Sequence, residues 1–326
     1  MINICSIMST IIIFLNLLCL STRYCKSQPK KLVIDTDPGG DDALAIMLAL
    51  MYEVKTHDIE ILAITATYGN TYLKNAEENV LKILTVANRS DIPVYGGSQK
   101  PLLYPYQFSD YFGKDGFGDF NFTREIIAKI DKSKHASVVL VELIKQYPDE
   151  ITIVTLGPLT TIATAIALEP NFLHLVKHHV VMGSNIYKNI IEYNFSQDPE
   201  SNWITFNNTN KPITVLPIET VASILKEEYR DLYSKLDHSI ANFLQQAERI
   251  SLEKSETWLP ADGITMAAVL QPEIITESFE TKLIPILVGD NRGSVALDND
   301  NKMHNANVIK TINITAFKNF ILQYLH

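Results

Sequence analysis

The chain has 326 residues, 46% of them hydrophobic and 20% charged, with a formal net charge of −9 and three cysteines. That composition suits an ordinary globular chain, and the negative balance speaks against a nucleic-acid backbone as the main partner, because that contact needs a basic face. No linker-like block or fixed-period repeat interrupts it, so one continuous domain over residues 31–326 is expected.

The first element is an apolar run from Ile11 to Leu20, IIIFLNLLCL, followed by the small and polar STRYCKSQPKK. The run is short for a bilayer span and predicts a secretory signal segment over residues 1–25, hence a secreted, extracellular protein with no membrane attachment once the segment is removed. No Lys or Arg precedes the run, which leaves an uncleaved anchor as the alternative. Cys5, Cys19 and Cys25 all lie in or beside this segment, so the mature chain keeps one at most and forms no internal disulfide. A domain of roughly 300 residues buries enough surface to fold without staples. Asn-X-Ser/Thr triplets at Asn88, Asn121, Asn207 and Asn313 suit a glycoprotein, and a fifth lies at Asn194.

From residue 31 onward, short apolar runs alternate with helical patterns. KLVID, IEILAITATYG, IPVYGG, ITIVTLG, HHVVMG and ITVLPIE read as strands, with DALAIMLALMYEV, NAEENVLKILTVAN and LTTIATAIALEP as helices between them. Nearly continuous apolar strands separated by helices predict an α/β fold, an open and mostly parallel central sheet with helices on both faces. After residue 222 the pattern turns mostly helical, with a hairpin at LIPILVGDNRGSVALD turned by DNRG and a closing helix at AFKNFILQYLH. In such a sheet the ligand sits beyond the carboxyl ends of the strands. There the sequence offers Asp35 to Asp37, YGN with Asn70, LGPLT, and MGSN leading into IYKNIIEYNFSQDPE.

The first of these ends is the densest. In DTDPGGDD, Pro38, Gly39 and Gly40 force a tight turn, and Asp41 and Asp42 open the next helix. A helix N-terminus favours carboxylates, which accounts for Asp41 or Asp42 but not for Asp37 against the same turn. Carboxylates crowded on one rim raise each other's pKa unless a cation neutralises them, and hard oxygen ligands point to Ca²⁺ or Mg²⁺ rather than zinc. A D-x-D-P-G-x-D-D string arises by chance on the order of once in 10⁵ chains of this length.

This string resembles the N-terminal signature of the nucleoside hydrolases, the inosine-uridine-preferring ribohydrolases, and the resemblance runs from Lys31 to the C-terminus. ATYGN looks like the family's second-strand motif, ending in a ribose-binding asparagine, here Asn70. TLGPLTTIATA looks like the segment whose main-chain carbonyl, here that of Leu156, ligates calcium. VVMG followed by IEYNF and DPE resembles the stretch that offers Met182, Glu192 and Asn194 to the sugar. ADGITMAAVL carries Asp262 at the position of the last calcium-ligating aspartate. The resemblance implies the family's Rossmann-like fold, usually assembled as homodimers or homotetramers, and ribonucleosides as small-molecule substrates.

It also implies a mechanism. Ca²⁺ would be held by Asp37, Asp42, Asp262 and the Leu156 carbonyl, and would orient a water whose proton Asp37 accepts as general base. The N-glycosidic bond would break through an oxocarbenium-like transition state, while Asp41, Asn70, Glu192 and Asn194 grip the sugar hydroxyls. If Asn194 binds ribose, its triplet carries no glycan.

Two positions depart from the family pattern. Ala261 stands where inosine-uridine-preferring members place the histidine that protonates the leaving base, and Phe112 replaces a second active-site histidine. Leaving-group activation must then differ. Purine-specific relatives stack the base between aromatic rings, and Tyr68, Phe112, Phe117 and Trp258 are the candidates here, favouring purine nucleosides. The loop from Met182 to Glu192 also looks short, with Asn185 as a candidate contact to the 5′-hydroxyl, and Thr160-Thr161 stands where Thr-Asn is common. Two other readings compete. One is a secreted nucleoside-binding protein with little turnover. The other is a haloacid-dehalogenase-like phosphatase, suggested by VIDTD and ILVGDNRGS but lacking the second acid after Asp290, where Ser294 stands.

Overall fold

The structure, a computed structural model, describes residues 28–186, 191–221, 224–300 and 303–326. The expected signal segment lies outside the described residues. One ten-stranded sheet runs through almost the whole length of the chain. Its strands are β1 (Lys30–Thr36), β2 (Ile59–Ala66), β3 (Val94–Gly96), β4 (Ile130–Asp131), β5 (Ile151–Thr155), β6 (His178–Met182) and β7 (Ile213–Leu216). A separate two-stranded pair follows, β8 (Ile224–Leu225) with β9 (Thr257–Trp258); β10 (Ile275–Pro285), β11 (Val295–Asp298) and β12 (Ala306–Ile312) then return to the large sheet.

The sheet order is β11-β10-β12-β7-β6-β5-β1-β2-β3-β4. All pairs from β12 to β4 are parallel, and β10 and β11 add an antiparallel edge. The chain starts at β1, builds outward through β2, β3 and β4, then crosses back to lay β5, β6 and β7 on the other side. The order therefore reverses between β1 and β5, the place where an open α/β sheet opens a crevice at its carboxyl edge.

Strand alternation explains the two cores. Leu32 and Ile34 join one apolar layer with the helices Gly40–Thr56, Ala261–Leu270 and Ile314–Leu325, while Val33, Ile151 and Ile153 face the other layer with the helices Ala136–Gln146 and Thr160–Leu168. Helix Gly40–Thr56 is buried from Gly40 to Leu50, and after the two acids of its first turn it is apolar on every side from Ala43 to Leu50 rather than amphipathic. Two expectations need amending. The region after residue 222 is not only helices and a hairpin, because β12 inserts between β7 and β10. The two residues of β4 also extend the sheet beyond β3. Among the described residues no helix is long and apolar enough to cross a membrane.

Candidate active site

The carboxyl end of β1 runs directly into the turn that opens helix Gly40–Thr56. Asp42 closes this turn on itself: Gly39 N–H donates to its Oδ2 at 2.8 Å and the Thr36 hydroxyl donates to its Oδ1. The N-terminus of helix Ala261–Leu270 arrives opposite, with the Asp262 N–H 3.5 Å from Asp41 Oδ2. Two helix N-termini thus face one acidic cluster, and both favour negative charge there. Carboxylate oxygens of Asp41, Asp42 and Asp262 lie within 4.8 Å of one another, and all three side chains are buried.

Asp37 stands beside this group in a slot between two neighbouring strand ends. A Cβ on Gly69, just past β2, would fall 1.9 Å from its Oδ2, and one on Gly157, just past β5, would fall 2.4 Å from its Oδ1. Only glycine on both sides leaves room for the carboxylate. Asn70 N–H donates to Asp37 Oδ2 at 2.7 Å, and the Asn70 side-chain amide reaches the Asp37 carbonyl and Asp42 Oδ2, both at 3.2 Å. Asp37 Oδ1 is buried without a hydrogen-bond partner.

Burial, reinforced by the Asp42 charge, pushes the Asp37 carboxyl well above the usual range. The same two causes raise Asp41 to about 8; burial raises Asp42, and burial with the Asp41 charge raises Asp262 well above its ordinary value. Four buried acids cannot stay ionised together without a cation. The all-oxygen donor set of these buried carboxylates fits a hard divalent ion. The tightest trio differs by one member from the ligand set the resemblance implies, with Asp41 in place of Asp37. The reason is local: Asp37 Oδ2 is turned to the Asn70 N–H, whereas Asp41 and Asp262 sit in the first turns of two helices that meet end to end.

The sugar candidates form the opposite wall. Glu192 caps the short helix Tyr193–Gln197, accepting from Asn194 N–H at 2.7 Å, Phe195 N–H at 2.9 Å and Ser184 N–H at 3.1 Å. Burial raises its carboxyl to about 7. The Asn194 amide donates to the Leu156 carbonyl at 2.6 Å and lies 3.5 Å from Met182 Sδ. Asp41, Asn70, Leu156, Met182, Glu192, Asn194 and Asp262 all line one cavity of about 350 Å³, so positions as far apart in the chain as 41 and 262 meet at a single space, whereas Asp37 and Asp42 are not among its described lining residues. Asn185 is buried nearby, and residues 187–190 of the same loop lie outside the described residues.

The aromatic candidates divide. Phe112 lines the cavity, its ring against Gly39, where a Cβ would fall 2.6 Å from Phe112 Cδ2. The other three are not among the described lining residues, which corrects the expectation for them. Tyr68 is buried with its hydroxyl 2.9 Å from Thr160 Oγ1 and its ring edge-on to Tyr106. Phe117 packs with Phe120 and Phe243, and Trp258 packs on Tyr229 and Tyr233. Each fills a gap between elements, a demand that aromatic side chains meet as readily as base stacking. Ala261 lines the cavity where the resemblance places a histidine, and no His, Lys or Arg is among the described lining residues.

Sequence reasoning missed Ser109, Tyr111, Tyr193, Ile218 and Leu259, which complete the lining. Tyr193 stands between two flagged residues and Tyr111 next to one, so both were within reach of the motif. The phosphatase reading has no geometry behind it. Asp290 sits in the β10–β11 hairpin loop, with β12, β7, β6 and β5 between β10 and β1.

Comparison with known proteins agrees with this geometry. The family model described as inosine-uridine preferring nucleoside hydrolase matches residues 32–319. Uridine nucleosidase 1 of Arabidopsis thaliana is 33% identical over 263 residues, covering 76% of this chain and 76% of the relative. The inosine-uridine preferring nucleoside hydrolase of Leishmania major is 30% identical over 270 residues, covering 79% of this chain and 83% of the relative. Among solved structures, an inosine-guanosine nucleoside hydrolase superposes with a TM-score of 0.81 at 25% identity, covering 90% of this chain and 98% of that one.

Proposed function

The chain belongs to the inosine-uridine preferring nucleoside hydrolase family, and from that premise we propose a calcium-dependent enzyme that favours purine nucleosides. Its activity is hydrolysis of ribonucleosides, and the family's metal dependence has a counterpart in the Asp41, Asp42 and Asp262 cluster. The observation that carries the reading is the single cavity in which Asp41 and Asp262 meet Asn70, Glu192 and Asn194, with Asp42 buried directly behind them in the same acidic cluster.

Asp37, Asp42 and Asp262 with the Leu156 carbonyl would hold the Ca²⁺, which when bound supplies Lewis-acid activation of water. Asp37 then works as the general base, because its Oδ1 is unpartnered while its Oδ2 is held by Asn70. The water oxygen bonds to the anomeric carbon as its proton passes to Asp37, and the C–N bond breaks with its electron pair leaving on the base, which takes up a proton from solvent because no His, Lys or Arg is among the described lining residues. Asn70, Asp41, Glu192 and Asn194 grip the ribose hydroxyls. That binding, remote from the bond that breaks, favours the flattened sugar of the transition state.

The test measures free base and reducing sugar released from inosine, adenosine, guanosine, uridine and cytidine. Chelation is expected to stop release and added Ca²⁺ to restore it more fully than Mg²⁺; full recovery with Mg²⁺ alone sinks the calcium assignment. Tight nucleoside binding without any release would favour the non-catalytic reading instead.

Support for purine preference comes from the aromatic corner of Tyr111 and Phe112, whose rings meet edge to face at 4.8 Å, next to Ala261. The Arabidopsis relative named for uridine marks the competing preference. Phe112→Leu is expected to lower kcat/KM for purine nucleosides about two- to tenfold, in line with about 0.5–1.5 kcal/mol for a ring contact. Uridine should lose less, and equal losses on both would remove Phe112 as the source of preference.

We also read the protein as secreted and as a homodimer or homotetramer. Asn88, Asn121, Asn207 and Asn313 are exposed, whereas Asn194 is buried in the cavity. Peptide mapping of protein made by secretion is expected to find glycan at some of the four exposed sites and none at Asn194. Glycan on Asn194 in active material would end its sugar-binding role.

A further inference from the structure

Two phenols converge on one backbone carbonyl. Tyr106 Oη and Tyr193 Oη each donate to the Gly69 carbonyl at 2.6 Å. Gly69 begins the turn whose next residue, Asn70, holds Asp37 through its N–H and reaches Asp42 through its side chain. Tyr193 comes from the opposite wall, between Glu192 and Asn194, and lines the cavity. Tyr106 is not among the lining residues. It comes from the stretch after β3 and packs edge-on against Tyr68 and Tyr72.

That stretch is itself anchored to the same wall. The Leu102 N–H donates to Asp198 Oδ2 at 3.0 Å, and the same oxygen accepts the Thr160 hydroxyl at 2.7 Å. Asp198 caps helix Pro199–Asn207, which follows directly after the segment carrying Glu192, Tyr193 and Asn194.

We propose that Tyr106 and Tyr193 are positioning residues, a paired clamp on the Gly69 carbonyl that fixes the separation between the two halves of the sugar site. One half is Asp37 with Asn70, and the other is Glu192 with Asn194. A carbonyl oxygen has two lone pairs, so either phenol alone still satisfies it and still spans the gap. Loss of both leaves the Gly69 carbonyl short of partners and frees the Asn70 turn to shift against Glu192 and Asn194. This rests on the nucleoside hydrolase reading for the identity of the sugar.

The test compares Tyr106→Phe, Tyr193→Phe and the double variant in the full chain, supplied with calcium. Each single change is expected to lower kcat/KM for the best nucleoside by less than about fivefold. The pair should lower it about a hundredfold, beyond the product of the singles, because the two act on one acceptor. The loss should include kcat and should be smaller on the 2′-deoxynucleoside, whose sugar makes fewer of the contacts that the clamp aligns.

Three results would overturn the clamp. They are a Tyr106→Phe that changes nothing in either background, a Tyr193→Phe that alone matches the double variant, and a loss that parallels a fall in melting temperature. The second result would mean that the Tyr193 hydroxyl touches substrate directly. If the double variant does not fold, the single variants' discrimination between ribo- and deoxyribonucleoside decides, since the clamp requires both to relax it in the same direction. Base release by the unaltered chain tests the proposed function separately. Were there none, nucleoside binding by calorimetry would carry the same comparison of variants.

Discussion

Asp37→Asn is expected to cut kcat by a factor of about 10²–10⁴, the range for loss of a general base, while leaving the fold intact. Asparagine is close in shape, and its side-chain oxygen can keep the Asn70 N–H that Asp37 Oδ2 accepts. What it loses is the proton acceptor at the other position, the buried oxygen without a partner. The variant also removes one charge from a crowded group of buried acids, so in the absence of metal its melting temperature should not fall. Activity and stability therefore move in different directions. The measurement is kcat for base release together with thermal unfolding under chelation; retained kcat would remove Asp37 as the base.

Gly157→Ala should be nearly as damaging to activity, for a different reason. The backbone at Gly157 does not need the left-handed region, so alanine meets no conformational barrier. Its Cβ would nevertheless fall 2.4 Å from Asp37 Oδ1 and 2.8 Å from Cγ. The yielding atom is the end of a side chain, so the chain accommodates the methyl by turning the carboxylate away, and the fold survives. Displacement of a reacting group by about 1 Å can cost about 10²-fold. The expected result is a loss of about that size in kcat with a shift of only a few degrees in melting temperature. Full activity would mean that Asp37 does its work from another position.

Much of this was legible in the sequence because it rests on local rules. β1, β5 and β6 are short, largely apolar runs, and where the parallel sheet opens β1 and β6 leave polar residues while β5 leaves the special backbone of Leu156, Gly157 and Pro158. The acids of DTDPGGDD announced themselves by number and turn chemistry, whereas Asp262, which alone reads as an ordinary helix start, stood out only through the resemblance of ADGITMAAVL to the family. β12 was not legible, since its polar end pairs with an antiparallel neighbour rather than lying in an apolar layer. The aromatic candidates failed for a related reason: whether Tyr68, Phe117 or Trp258 faces a cavity or fills a gap depends on elements far away in the chain. The double use of the Gly69 carbonyl, by tyrosines at 106 and 193, is a three-dimensional coincidence that no spacing rule encodes.

The sheet's two outer strands bear on how copies of this molecule behave at high concentration. β11 has four residues and β4 only two, with Lys129 and Lys132 on either side of β4. An open margin can template the addition of further strands and risk aggregation; the two outer strands are short and β4 is flanked by lysines, which suppresses that route there, while β10 pairs with β11 only over Lys282–Pro285 and over Ile275–Thr281 only with β12 on its inner side. Backbone pairing between copies would accordingly fall to the outer side of that stretch of β10 rather than to β4 or β11.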